Sequence, residues 1–247
     1  RSSAASDVYK RQDSNLSFSL QQLPSGDSEI LSKRPSNDRK KIMTNPEVES
    51  EATEKAPTFY GTIASAIYRL QSGVTGGADN SATRAQLARL RQAAGRTPEK
   101  DPLAWSIVLE QILPDFRWAG SKDTPNAAES AAYSALTLYA LHQRSRSQPM
   151  HKKHKFIGQA VAELAKKTES KSIKGRFDAL MTSTTPKSMN YHLRSLVNLL
   201  NSHEIPLDYA ALASDLCALQ RPEDRPGVIL QWGRDFASGL WTKPDNK

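Results

Sequence analysis

Apolar residues recur at helical spacing through most of this chain, and alternation with period two is never sustained. From Thr58 to Ser72 the positions Tyr60, Ile63, Ala64, Ile67 and Leu70 fall three or four apart, which gathers them on one helix face. This predicts a first helix that ends at Gly73. A second runs from an Asn80/Ser81 cap to Gly95, with Leu87, Leu90 and Ala94 on one side. A third starts at Asp101, with Pro102 in the first turn, where its missing N–H is harmless. It carries Leu103, Ile107, Val108, Ile112 and Leu113 before Pro114 stops it. The fourth, about 125–144, is longer, and Tyr133, Leu136, Tyr139 and Ala140 are its inward candidates.

A basic loop, QRSRSQPMHKKHK, follows. Beyond it the pattern predicts five shorter helices, around 156–166, 172–182, 187–202, 207–219 and 226–240. Pro186 and Pro206 lie near two of the starts, and the short connections predict neighbours packed roughly antiparallel. The expectation is an all-α fold of about nine helices in two small helical-bundle domains, 57–145 and 146–247. Residues 1–56 read as a disordered leader, because a polar stretch without periodicity buries too little apolar surface to offset the entropy of ordering it. The opening string RSSAASDVYKRQ resembles a translated sequencing-adaptor tail, so the natural start is expected at Met43 with the residues up to about 42 artefactual; the alternative is a genuine disordered tail.

Charge changes this picture. The formal net charge is +8, yet residues 1–56 carry nine basic and nine acidic side chains and contribute nothing to it. From Arg144 to Asn201 twelve basic residues face three acids, Glu163, Glu169 and Asp178. A +9 segment exceeds ordinary surface decoration and points to an anionic partner: nucleic acid, an acidic protein or an anionic membrane. In SMNYHLRSLVNLL, Met189, Leu193, Leu196, Val197 and Leu200 share one face, and Lys187, Tyr191, Arg194 and Asn198 share the other. A cation, an aromatic ring, a guanidinium and an amide along one stripe fit a phosphate backbone with a nearby base. A solvated helix face fits equally well. In SIKGRFDALM, Ile173, Phe177, Leu180 and Met181 form the buried side, Lys171 and Lys174 project away, and Arg176 sits at the border. On the second helix Arg84 and Arg91 lie beside the leucines, while Arg89 and Arg96 point nearly the other way. That arrangement means either acidic neighbours or a helix wet on both flanks.

Candidate chemistry adds little. His151 and His154 stand three apart without a nearby carboxylate or third histidine, so they read as part of a basic loop that gains charge at low pH rather than as a metal site. Phosphate-binding glycine loops and the nucleophile elbow GxSxG are missing, and Asp115 and Asp123 form no acidic cluster. Gly158 in FIGQAV is explained by close helix packing. Cys217, the only cysteine, rules out an internal disulfide and reads as a small core residue. No stretch approaches the ~18 apolar residues of a membrane span. The reading is of a soluble cytoplasmic protein without catalytic residues, metal or cofactor.

An ordered set of stretches carries a resemblance. They are RAQLARLR (84–91), DPLAWSIVLEQIL (101–113), SALTLYALH (134–142), FIGQAVAEL (156–164), RFDALM (176–181), HLRSLVNLLNSHEIPLDYAALASDL (192–216) and WGRDF (232–236). Together they resemble the CasB small subunit of the type I-E CRISPR Cascade surveillance complex. The loop around 144–155 is richer in basic residues than the family pattern, and Phe156 or Ile157 stands where a small hydroxyl residue is usual. The resemblance implies a non-catalytic, all-helical subunit present in two copies. It would lie along backbone subunits that hold the guide RNA, near a large subunit, and stabilise the target DNA and its displaced strand. Carried over by position, Arg89, Arg176 and Arg194 are its nucleic-acid-binding candidates, with Arg84, Arg91, Lys171, Lys174, Lys187 and His192 as neighbours. The alternatives are a basic helical scaffold for acidic proteins, a free-standing DNA-binding regulator, for which no helix-turn-helix is evident, and a metal nuclease using His151 and His154.

Overall fold

A computed structural model describes residues 58–75, 80–112, 120 and 123–241. The expected leader, the stop at Pro114 and Asp115 lie outside the described residues. Among them are nine α-helices: α1 (Phe59–Thr75), α2 (Ser81–Ala93), α3 (Pro102–Ile112), α4 (Ala127–His142), α5 (Ile157–Thr168), α6 (Lys171–Met181), α7 (Pro186–Ser202), α8 (Tyr209–Ala218) and α9 (Arg225–Trp241). Every predicted helix is present. The first does not end at Gly73 but continues to Thr75, and a single 3-10 turn at Pro98–Lys100, which the pattern did not predict, leads into α3. No strand occurs among the described residues; one isolated parallel bridge joins His151 to Leu207. No described helix is long and apolar enough to cross a membrane.

α4 organises the core. From Ala131 to Gln143 all its residues except Ser134 are buried, and a helix apolar around its whole circumference has to be a central one. Its start is fixed by a capping box: Glu129 N donates to Asn126 Oδ1 (2.8 Å), and Asn126 N donates to Glu129 Oε2 (2.7 Å). α2, α3, α7 and α8 pack against it, and α1 packs on α2, α3 and α8. α8, late in sequence, therefore stands among the early helices. α5, α6, α7 and α9 make the second group of neighbours. One continuous buried apolar cluster runs from Ile63 to Phe236 across position 145/146.

The tightest approach is α5 against α9. A Cβ on Gly158 would lie 2.4 Å from the carbonyl oxygen of Trp232 and 2.6 Å from the amide nitrogen of Phe236. The backbones meet there, as the sequence reading of Gly158 expects. Trp232 is buried and donates its indole N–H to Asp215 Oδ2 (2.7 Å), and Phe177 stacks on Phe236 with centroids 5.2 Å apart. Cys217 is only half-buried, packed at the edge of the core rather than inside it.

Candidate nucleic-acid interface

Among the described residues four acids turn inward, whereas no lysine or arginine is buried. Asp101, Glu129, Asp208 and Asp235 are all buried. Asp208 caps α8 through Oδ1, which accepts from Ala210 N and Ala211 N, while Oδ2 accepts from Tyr60 Oη (3.0 Å) and His154 N (2.7 Å). Cations remain outside. Arg84, Arg144, Lys152, Lys153, Lys171, Lys187 and Arg194 are exposed, and none has an ion-pair partner among the described residues. The surface formed by the described residues is therefore more basic than their net charge alone implies.

On α7 the expected division holds. Met189, Leu193, Leu196, Val197 and Leu200 are buried, whereas Lys187, Tyr191 and Arg194 are exposed, Tyr191 by 70%. Asn198 is half-buried, and so is His192, which packs edge-on against the Tyr191 ring. On α6 Ile173, Phe177 and Leu180 are buried and Met181 partly so. Lys174 is exposed but pairs with Asp178 (2.7 Å). Arg176 donates from Nη1 to Ser195 Oγ (3.0 Å), which ties α6 to α7 beside Arg194. Arg194 in turn lies over the end of α2: a Cβ on Gly95 would be 3.2 Å from its Nη1. Gly95 has φ +85°, in the left-handed region that glycine tolerates, so both conformation and space keep this position open for the arginine. A guanidinium there also suits the negative end of the α2 dipole.

The arginines of α2 separate onto two flanks. Arg89 Nη2 is 2.6 Å from Asp101 Oδ1, and Arg96 Nη1 is 3.6 Å from Asp101 Oδ2. Arg89 is thus held by a buried carboxylate, and Arg96 is more than ordinary surface. Arg84 and Arg91, on the other flank, face two arginines that the sequence reading did not select, Arg144 and Arg146. These stand in the turn after α4. Gln143 fixes that turn: its Nε2 donates to the carbonyls of Arg146 and Gln148 (both 3.0 Å), and its Oε1 accepts from Met150 N (3.0 Å). Asn201 on α7 donates to the carbonyls of His142 (2.6 Å) and Arg144 (3.2 Å). The dense charge of 144–146 was visible in the sequence; its convergence with α2 was not.

His151 does not behave as a low-pH basic loop residue. It is buried, its Nδ1 accepts from Tyr209 N (3.2 Å), and burial lowers its pKa. His142 is also buried, bonds Tyr209 Oη through Nδ1 (2.8 Å), and is pushed down to about 4 by burial. Among the described residues no group of three or more His, Cys, Asp or Glu side chains is placed to hold a metal ion.

The family model for CRISPR-associated protein Cse2 matches residues 86–236. The fold is similar to the crystal structure of CasB from Thermobifida fusca, at 33% identity and TM-score 0.61, covering 73% of this chain and 98% of that one. It is also similar in fold to a Cse2-family CRISPR-associated protein from Thermus thermophilus, at 23% identity and TM-score 0.54, covering 74% and 99%. A chain of a structure described as a CRISPR RNA-guided surveillance complex matches at 21% identity and TM-score 0.56, covering 74% and 95%. Among curated proteins no relative matches. Residues 86–236 span α2 to α9, the helices that carry both the inward acids and the outward cations, and the chain belongs to the Cse2 family of CRISPR-associated proteins.

Proposed function

We propose that this chain is a non-catalytic, cytoplasmic subunit of a CRISPR RNA-guided surveillance complex of the type I-E Cascade class. In that role it sits against the backbone and large subunits beside a second copy of itself. Its basic surface grips phosphates of the guide RNA–target DNA R-loop and of the displaced strand. The observation that carries this reading is the ridge where Arg176 meets Ser195 beside Arg194, with Lys187 and Tyr191 exposed along the same α7. Guanidinium and ammonium groups so arranged hold backbone without reading sequence. Exchange of one duplex for another is nearly balanced in energy, so modest electrostatic help from a protein surface shifts it. The similarity to a chain of a surveillance complex supports the assembly.

The test uses the assembled complex with Lys187, Arg176 and Arg194 all replaced by alanine. Opening of a matched target duplex, followed by permanganate reactivity of the displaced strand, should need more protein. The slope of log K against log salt should fall by about one for each phosphate that the variant no longer holds. Unchanged opening and an unchanged slope would remove these residues from the interface. Loss of assembly with intact nucleic-acid affinity would favour the scaffold for acidic proteins instead.

A further inference from the structure

The four arginines around the turn after α4 enclose more than a charged patch. Arg84 and Arg91 from α2, with Arg144 and Arg146 from the turn, line a cleft of about 380 Å³ that contains no carboxylate among its described lining residues. Its floor is apolar: Leu87 and Ala88, which stand between Arg84 and Arg91 on α2, and Ala140 of α4 line it. A cleft of this size falls at the small end of the ~300–1,000 Å³ typical of small-molecule sites. Like charges held this close repel one another. Only Arg146 is balanced within the described residues, by an ion pair with Glu204, while Arg84, Arg91 and Arg144 have no such partner. The turn that presents Arg144 and Arg146 is nonetheless fixed by the Gln143 and Asn201 amides, and Ser145, between the two arginines, has φ +57°. Arginines preset around an apolar floor fit a ligand that is anionic at its edge and flat and apolar on its face.

We propose that this cleft holds one unstacked nucleotide of a single-stranded nucleic acid, with its base on the Leu87–Ala88–Ala140 floor and its flanking phosphates on the four arginines. The inference rests on the nucleic-acid reading above and adds to it a seat for one base, beside the phosphate contacts. A duplex keeps its bases stacked inside a convex rod and offers the arginines only phosphate, so it leaves the floor empty. A single strand can splay a base out onto an apolar surface or an arginine plane. Recognition here needs no base-specific hydrogen bond, so the preference is for strandedness and not for sequence.

The experiment uses the full chain and two oligonucleotides of equal length, one intact and one with every base replaced by an abasic site. The wild-type protein should bind the intact strand about tenfold more tightly, the gain expected of one buried base. Replacing Ala88, half-buried in the cleft, with Leu or Gln should pull that ratio toward one. Both are good helix formers, and circular dichroism verifies the fold of each. R84A together with R144A should weaken both strands equally and leave the ratio intact. A 2-aminopurine placed mid-strand should change its fluorescence on binding wild type and much less with A88L. Equal binding of intact and abasic strands by wild type overturns the cleft assignment while leaving phosphate gripping in place, as does an unchanged ratio in folded A88L or A88Q. If neither strand binds, the cleft assignment fails together with the nucleic-acid reading it rests on.

Discussion

Asp101 shows how much a single buried carboxylate can settle. It is 1% exposed, accepts from Ala104 N (3.2 Å) at the start of α3, and faces both Arg89 and Arg96. It therefore caps a helix and holds a guanidinium in the same place. Removing one partner of a buried pair leaves the other charge uncompensated, and losing a cap adds to that. D101A should lower unfolding free energy by roughly 2–4 kcal/mol in urea titrations. R89A should also destabilise the fold, and its effect on nucleic-acid affinity should be smaller than that of R194A. If R89A binds as weakly as R194A at full stability, Arg89 is a direct phosphate grip despite Asp101. The sequence placed Arg89 and Arg96 on one flank of α2 but offered no partner for them. Asp101 lies beyond an unpredicted 3-10 turn, and no periodicity reaches across it.

Among the elements, the helices were legible and their meetings were not. α4 was legible as a helix with Tyr133, Leu136, Tyr139 and Ala140 inward, but its burial all round was not drawn from the absence of charge between Glu129 and His142. α7 announced its two faces through strict apolar spacing, and the structure keeps both. That α8 returns to pack on α1 and α4 was hidden, because its anchor is tertiary: Asp208 reaches Tyr60 and the His154 amide, far apart in sequence. The cleft was hidden for the same reason, since Arg84 and Arg144 meet only when α2 docks on α4. Gly158 is the exception, a close approach read from a single residue. With Trp232 O 2.4 Å from an added Cβ, the α5–α9 backbones have to separate before any side chain fits. G158A should cost about 1–3 kcal/mol, and G158V more, in thermal or urea unfolding. A neutral G158A would mean that α9 slides along α5 without loss.

For the whole molecule, turning acids and histidines inward couples stability to pH in two opposed ways. Burial raises Asp215 from 3.8 to about 6, against the Trp232 indole hydrogen bond, which favours the charged form. Between those values the native state binds the extra proton, so the contribution of Asp215 is fully present below its unfolded pKa and is lost as pH rises through about 6. Burial lowers His142 from 6.5 to about 4. There the unfolded chain binds the extra proton, so its contribution is complete above pH 6.5 and is lost as pH falls through about 4. Each shift corresponds to about 3 kcal/mol, of opposite sign over nearly the same window. The two therefore largely cancel in the wild-type protein, and His151, lowered by burial, and Asp235, raised by burial, add a second opposed pair. D215N keeps an acceptor for Trp232 but removes the titration. Its stability relative to wild type should rise by about 3 kcal/mol from pH 4 to pH 6.5, which exposes the unopposed histidine contribution. Parallel stability–pH curves for the two proteins would show that Asp215 titrates as an ordinary surface carboxylate, and that its burial beside Trp232 leaves the proton balance of the fold unchanged.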